Sequence, residues 1–406
     1  MEEWKKYKIG DLCSISSSKR IFAKEYQSSG VPFFRGKEII EKQKGESIST
    51  ELYISRSRYY EIRIKYGVPK EGDMLLTSVG TLGIPYIVKN ETFYFKDGNL
   101  TWFSDFKGLN SKFLYYWFLS PIAKNAIEAK AIGSTQKALT IDALSKFEIN
   151  IPEIDTQNRI ASVLSFIDDK IELNRRINDN LEQQAQALFK SWFVHFEPFK
   201  DGKFVDSELG MIPEGWQVEE LGNITNSITE KVGKRTDIKV LSPVNTGDLL
   251  LSEEYFTKQV YSKNLAKYVM VEPNDFAYNP ARINIGSIGM NTFDFSGCVS
   301  PVYVVFRCEK EYHHFFNIFK ATKNFKEEVN TRAIGGVRQT LSYKDFSLIK
   351  IVYPPKEVVE QFNKIYSHIM TLIKKNVLEN KRLHQTRDTL LPKLMSGELK
   401  INDINN

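Results

Sequence analysis

Two stretches of the chain place apolar residues at alternating steps of four and three. The first carries Ile160, Leu164, Ile167, Ile171, Leu181 and Leu188. The second carries Phe362, Tyr366, Ile369, Ile373, Leu383 and Leu390. This spacing predicts two long amphipathic helices, each with a coiled-coil seam. Asn174 and Asn178 fill the seam positions missing from the first run, and Asn376 and Asn380 those of the second. A buried Asn costs stability but fixes register and orientation. If the helices pair antiparallel about a pseudo-twofold, Asn174 faces Asn380 and Asn178 faces Asn376. Pro152 and Pro354-Pro355 stand just before the helices, where they separate each from the part that precedes it.

Outside these stretches the pattern is short and mixed. Tyr86-Ile87-Val88 and Thr92-Phe93-Tyr94-Phe95 alternate like strands around a Lys89-Asn90-Glu91 turn, which predicts a hairpin. Leu76-Thr77-Ser78-Val79-Gly80 reads as a strand end running into a glycine turn. Lys112–Leu119 and its counterpart His314–Lys320 are dense in aromatics. They fit helices buried against a sheet better than an exposed stacking platform.

The chain also repeats itself. AIGSTQKALT from Ala131 matches AIGGVRQTLS from Ala333, an offset of 202 residues that holds without a gap through both helices. Gly72-Asp73 falls on Asn274-Asp275. Gly80 and Gly83 are matched, with a small shift, to Gly286 and Gly289. Trp4…Ile9-Gly10 matches Trp216…Leu221-Gly222. A period of half the chain is too long for a solenoid. The expected fold is therefore α+β: a tandem pseudo-twofold repeat of two globular parts joined by two long helices in an antiparallel coiled coil. The expected boundaries are 1–152 and 216–354 for the globular parts, 153–195 and 355–406 for the helical spacers, and 196–215 for a linker with turn chemistry.

Composition narrows the class. Hydrophobic residues make up 42% of the 406, enough to build sizeable cores. No apolar run approaches the ~20 residues of a membrane span. The charged start, Met1–Asp11, has no signal core, which leads to the expectation of a cytoplasmic protein. The three cysteines, Cys13, Cys298 and Cys308, are far apart and form no metal-ligand pair, so a disulfide framework and a cysteine zinc site are excluded. A formal net charge of +6 permits a nucleic-acid partner without requiring one.

Familiar catalytic motifs are missing. Lys37, Lys203 and Lys234 follow a glycine, but none precedes Ser or Thr, so there is no P-loop. There is no G-x-G-x-x-G and no G-x-S-x-G elbow. Without a Pro-Asp dipeptide, the E-x-K strings such as Glu128-Ala129-Lys130 do not make a nuclease site. Asn279-Pro280-Ala281-Arg282 approaches the N-P-P-[YF] tetrad of adenine methyltransferases but lacks the aromatic that stacks on a flipped base. What remains is a binding architecture. A helix from Pro152 to Trp192 spans ~60 Å, longer than one turn of duplex DNA at ~34 Å.

Taken together, these residues resemble the specificity subunit of type I restriction–modification systems. The motifs are the W-x-x-x-x-[IL]-G-[DN]-[LI] openings at Trp4–Leu12 and Trp216–Ile224, Ile212-Pro213-Glu214 before the second, and Gly72-Asp73 followed by Gly80–Gly83. The 133–140 run, Leu188–Val194 at the end of the first helix and Leu390–Leu399 near the end of the chain complete them. The resemblance covers the whole length. It implies two target recognition domains, each reading one half of a bipartite asymmetric DNA site, with the coiled coil setting the spacer. It also implies two methyltransferase subunits docked on the chain and two restriction motor–nuclease subunits. S-adenosylmethionine, ATP and Mg would be bound by those partners. The chain itself would hold no cofactor or metal and would not be an enzyme.

Base readout needs side chains with paired donors or acceptors, and phosphate anchoring needs cations or amides. In the first part the candidates are Arg35, Lys37, Ser78, Thr81, Thr135, Gln136 and Lys137. In the second they are Asn245, Thr246, Arg282, Asn284, Arg338 and Gln339. The glycines nearby fit backbone turns better than DNA contact. The competing reading is a coiled-coil adaptor that organises partner subunits without sequence-specific DNA binding.

Overall fold

The computed structural model describes residues 4–46, 48–49, 52–131, 137–256, 258–333 and 340–401. The chain divides into two compact units, one formed by Met1–Arg176 with Lys375–Asn406 and the other by Ile177–Lys374. Among the described residues no helix is long and apolar enough to cross a membrane.

The two units share one topology. In the first, an N-terminal strand Lys5–Lys8 pairs antiparallel with Glu148–Ile151, the strand just before the first long helix. In the second, Gln217–Glu220 pairs the same way with Lys350–Tyr353, just before the second long helix. Each unit then has a four-stranded antiparallel sheet with the same order. It runs Ser14–Ser16, Leu100–Ser104, Met74–Thr77, Pro85–Ile87 in the first and Thr225–Ile228, Val304–Cys308, Phe276–Tyr278, Ile288–Met290 in the second. A further sheet carries one parallel pair in each unit, Phe33-Phe34 with Tyr94-Phe95 and Lys239-Val240 with Gly297-Cys298. The second unit adds the strand Val269–Val271 to this sheet.

The repeated motifs are architectural. Gly10 and Gly222 sit where a side chain does not fit: an added Cβ would lie 2.8 Å from Ser145 Cβ in one unit and 3.0 Å from Ser347 Cβ in the other. Gly72 and Asn274 both take left-handed backbone, at φ 89° and 71°. The following aspartates close that turn, Asp73 accepting the amide of Lys70 and Asp275 that of Glu272, both at 2.9 Å. Each Asp also bonds to the neighbouring strand, to Trp102 Nε1 in one unit and to the Arg307 guanidinium, two residues along from the Trp102 site's counterpart Val305, in the other.

The aromatic segments are buried helices, Ser111–Leu119 and His313–Phe319. Two finer expectations need correction. Tyr86-Ile87 and Tyr94-Phe95 do not form a hairpin: the first pairs with Met74-Leu75, the second with Phe33-Phe34, in different sheets. Glu91, placed in the turn by the sequence pattern, instead binds Lys42 and Tyr86, so a tertiary anchor replaces a local one. The glycine matching also shifts. Strand register puts Gly83 opposite Gly286, both left-handed, whereas Gly289 lies within a strand, against the backbone of Asp248 and Leu249.

The long helices run Ile154–Phe193 and Lys356–Ser396 and start just after their prolines. Their seam residues are buried or half-buried throughout. In the first unit Arg387 bonds Asp168 (2.9 Å) and Asn174 Nδ2 donates to Asn380 Oδ1 (2.9 Å), so the pairing is antiparallel. Asn380 also donates to the carbonyl of Ile171. In the second unit Asn178 donates to the carbonyl of Ile373, the same bond shifted by the repeat.

Each unit's core is completed by the far end of a long helix. Leu391, Leu394 and Met395 join Ile9, Phe113, Trp117, Ile160 and Leu164 in the first. Ala185, Phe189 and Phe193 join Trp216, Phe306, Phe315 and Phe362 in the second.

Candidate nucleic-acid interface

In each unit three loops meet at the same place in the topology. In the first unit the loop after strand Val31–Phe34 opens a nine-residue helix, Gly36–Lys44. The glycine turn after Met74–Thr77 lies beside it. The segment 137–139 joins that turn through two backbone bonds, Gly80 N to Lys137 O (3.1 Å) and Leu139 N to Ser78 O (2.9 Å). An open cleft runs between the loops, lined in part by Arg35, Lys37, Lys44, Val79, Thr81 and Asn99.

The side chains on this cleft differ in freedom. Arg35 caps the helix: its backbone amide and guanidinium both bind Glu38, which is fully buried. Burial alone would raise the Glu38 pKa, but the bonds from Arg35 hold it below the ordinary carboxylate range. Arg35 is thus partly exposed and pre-oriented, with fewer rotamers to lose on binding a planar acceptor. Lys37 is exposed, 3.6 Å from Glu41. Thr81 and Lys137 are exposed. Ser78 is placed differently from its expectation. It is buried, shares a 2.6 Å hydrogen bond with Thr101 and donates to the carbonyl of Leu76, so its hydroxyl serves the turn rather than a ligand.

In the second unit the loop after strand Lys239–Pro243 carries Asn245 and Thr246, both exposed. The turn 279–287 packs against it. Ser287 Oγ donates to the Pro243 carbonyl (2.8 Å), and a Cβ on Gly286 would lie 2.8 Å from the Asn245 carbonyl. Leu341 N donates to the Pro280 carbonyl, as Leu139 does to Ser78 in the first unit. Arg282 is exposed and Asn284 half-buried on this turn. Asn279 accepts the Ala281 amide with its own side chain, so the Asn-Pro-Ala-Arg string is a capped turn and not a base-stacking tetrad. Thr246 is bonded to Asp248 (2.7 Å).

The structure therefore brings Arg35, Lys37, Thr81 and Lys137 together in one unit, and Asn245, Thr246, Arg282 and Asn284 in the other. Thr135, Gln136, Arg338 and Gln339 lie outside the described residues. The sequence reading missed Lys44 and Asn99. Lys44 is an ordinary C-terminal helix cation, and Asn99 is brought to the cleft by the sheet alone, so neither carries a local signal.

Comparisons with known proteins show which proteins the whole chain is similar to. The family model described as "Type I restriction modification DNA specificity domain" matches residues 1–183. The MjaIX specificity subunit of Methanocaldococcus jannaschii, a type I restriction enzyme subunit, is 29% identical over 99% of this chain and 95% of its own length. The HindI specificity subunit of Haemophilus influenzae is 24% identical over 98% of this chain and all of its own. A crystal structure of a type I restriction–modification S subunit from M. genitalium shares the fold, with a TM-score of 0.62 at 17% identity, covering 97% of this chain and 96% of that one.

Proposed function

We propose that the chain is one of the type I restriction–modification specificity subunits and that each of its units reads one half of a bipartite, asymmetric DNA sequence. The observation that carries the reading is the duplicated three-loop cluster. One topology presents Arg35, Lys37, Thr81 and Lys137 in the first unit and Asn245, Thr246, Arg282 and Asn284 in the second. A shared scaffold with unlike side chains at the same place is what two different half-sites require. Exposed Lys and Arg supply phosphate anchoring and Asn, Thr and Arg supply base-edge bonds.

In this reading the antiparallel helices set the unspecified spacer and dock two methyltransferase subunits. Two motor–nuclease subunits complete the restriction complex in the cytoplasm. S-adenosylmethionine, ATP and Mg belong to those partners. This chain contributes no reacting group and acts by placing DNA.

The test is a map of methylated adenine in cells carrying the chain with its methyltransferase subunit. A single bipartite motif is expected, lost when the chain is omitted and changed in one half only when residues 1–152 are exchanged for those of a relative. If methylation shows no motif that depends on the chain, the DNA-reading assignment fails and the adaptor reading replaces it.

A further inference from the structure

In each unit a cation from another element binds a backbone carbonyl of the segment that carries the candidate contacts. In the first unit Arg175, on the long helix, donates through Nη1 to the carbonyl of Lys44 at 2.6 Å. Lys44 is the last residue of the helix that Arg35 opens. Gly45 follows at φ 71°, and a Cβ there would lie 2.4 Å from the same nitrogen. The left-handed φ is what favours glycine there, and a side chain would crowd the guanidinium. A positive charge at that end also suits the helix dipole. Arg175 adjoins Asn174, whose amide is fixed by Asn380 and Glu379. The helix bearing Arg35 and Lys37 is thereby tied to the polar layer of the coiled coil.

In the second unit Lys320 plays the same part by different means. It follows the buried helix His313–Phe319, and its Nζ donates to the carbonyl of Gly247 at 2.5 Å. Gly247 closes the loop that carries Asn245 and Thr246, at φ 92°. Burial lowers the Lys320 pKa to about 8, with Asp248 pulling the other way. Among the described residues no carboxylate lies within ion-pair distance of this amine. Lys320 is half-buried, and an apolar residue there would avoid the cost of partly desolvating an amine.

The repeat does not relate these two contacts. At the 202-residue offset Arg175 falls on Val377 and Lys320 on Phe118. Each unit has therefore acquired its own cation at the same functional place. We infer that Arg175 and Lys320 are positioning residues, each holding the pose of one half-site reading loop without touching DNA. The inference rests on the proposed reading of those loops as DNA contacts.

The experiment uses the full chain with its methyltransferase subunit and reads the methylated-adenine motif by sequencing. Arg175→Met is expected to loosen one half of the motif, by about tenfold in preference at one or more positions, and to leave the other half sharp. Lys320→Met is expected to loosen the opposite half by a similar factor. Arg175→Lys, which keeps a cation able to reach the carbonyl, should restore much of the lost preference. Thermal melting of each variant is followed in parallel. Should a Met variant be too unstable to methylate, Arg175→Lys and Lys320→Arg carry the test, with a weaker but still half-selective loosening expected. Two halves as sharp as in the unsubstituted chain, or two halves softening together, would overturn the inference. A motif that is absent or independent of the chain would instead overturn the DNA-reading assignment.

Discussion

Gly10 and Gly222 show how much of the repeated sequence is architecture. Each lets the helical turn that follows the unit's first strand, Ile9–Leu12 or Leu221–Ile224, approach the end of the short helix before the partner strand, against Ser145 and Ser347. Asp73 and Asp275 likewise close equivalent turns. These residues are shared because both units need the same backbone path, and shared residues cannot tell two half-sites apart. Gly10→Ala forces a Cβ into a 2.8 Å contact and is expected to cost ~1–3 kcal/mol of the first unit's stability. Amide hydrogen exchange checks this: strand 5–8 should lose protection while strand 217–220 keeps it, and Gly222→Ala should reverse the pattern. Equal protection in both strands would mean that the close approach can relax at no cost.

At the scale of elements the polar layers deserve the closest reading. Asn174 and Asn380 meet amide to amide in the first unit, and Asn178 and Asn380 make repeat-related bonds to the carbonyls of Ile373 and Ile171. Heptad seams without such layers slide by a whole repeat at little cost, and a buried Asn forbids that. Asn174→Ala removes the donor to Asn380 Oδ1, while Asn380 keeps its bond to the Ile171 carbonyl, and should lower stability in urea denaturation by ~1–2 kcal/mol. Asn174→Leu combined with Asn380→Leu should raise the melting temperature above that of the unsubstituted chain. An unchanged midpoint for Asn174→Ala would show that the layer contributes nothing to stability.

At the scale of the whole molecule the chain order and the compact units do not coincide. The unit boundary falls inside both long helices, between Arg176 and Ile177 and between Lys374 and Lys375. Residues 375–406 complete the unit that contains the N-terminus. Leu391, Leu394, Met395 and Ile401 are buried in its core. Removing residues 388–406 deletes all four, each worth ~1.5–3 kcal/mol of burial. The first unit is expected to lose exchange protection throughout while the second keeps its own. Retained protection in strands 74–77 and 100–104 would show that the first unit folds without the tail.

The sequence by itself determined the periodic and the repeated. Heptad spacing set the two helices and their seams, and the seam gaps named the Asn positions. The 202-residue offset set the duplication, and short alternating runs set the α+β class. All of these are local or translational patterns, so they are written along the chain. Tertiary structure decided the rest. It sent Tyr86-Ile87 and Tyr94-Phe95 to different sheets, turned Ser78 inward onto Thr101, and brought Asn99 and Lys44 to the Arg35 cleft. It also set Arg175 on Lys44, 131 residues away, and Lys320 on Gly247, 73 residues away. Contacts of such separation leave no period or motif behind. They arise only when packing of the cores fixes where the loops come to rest.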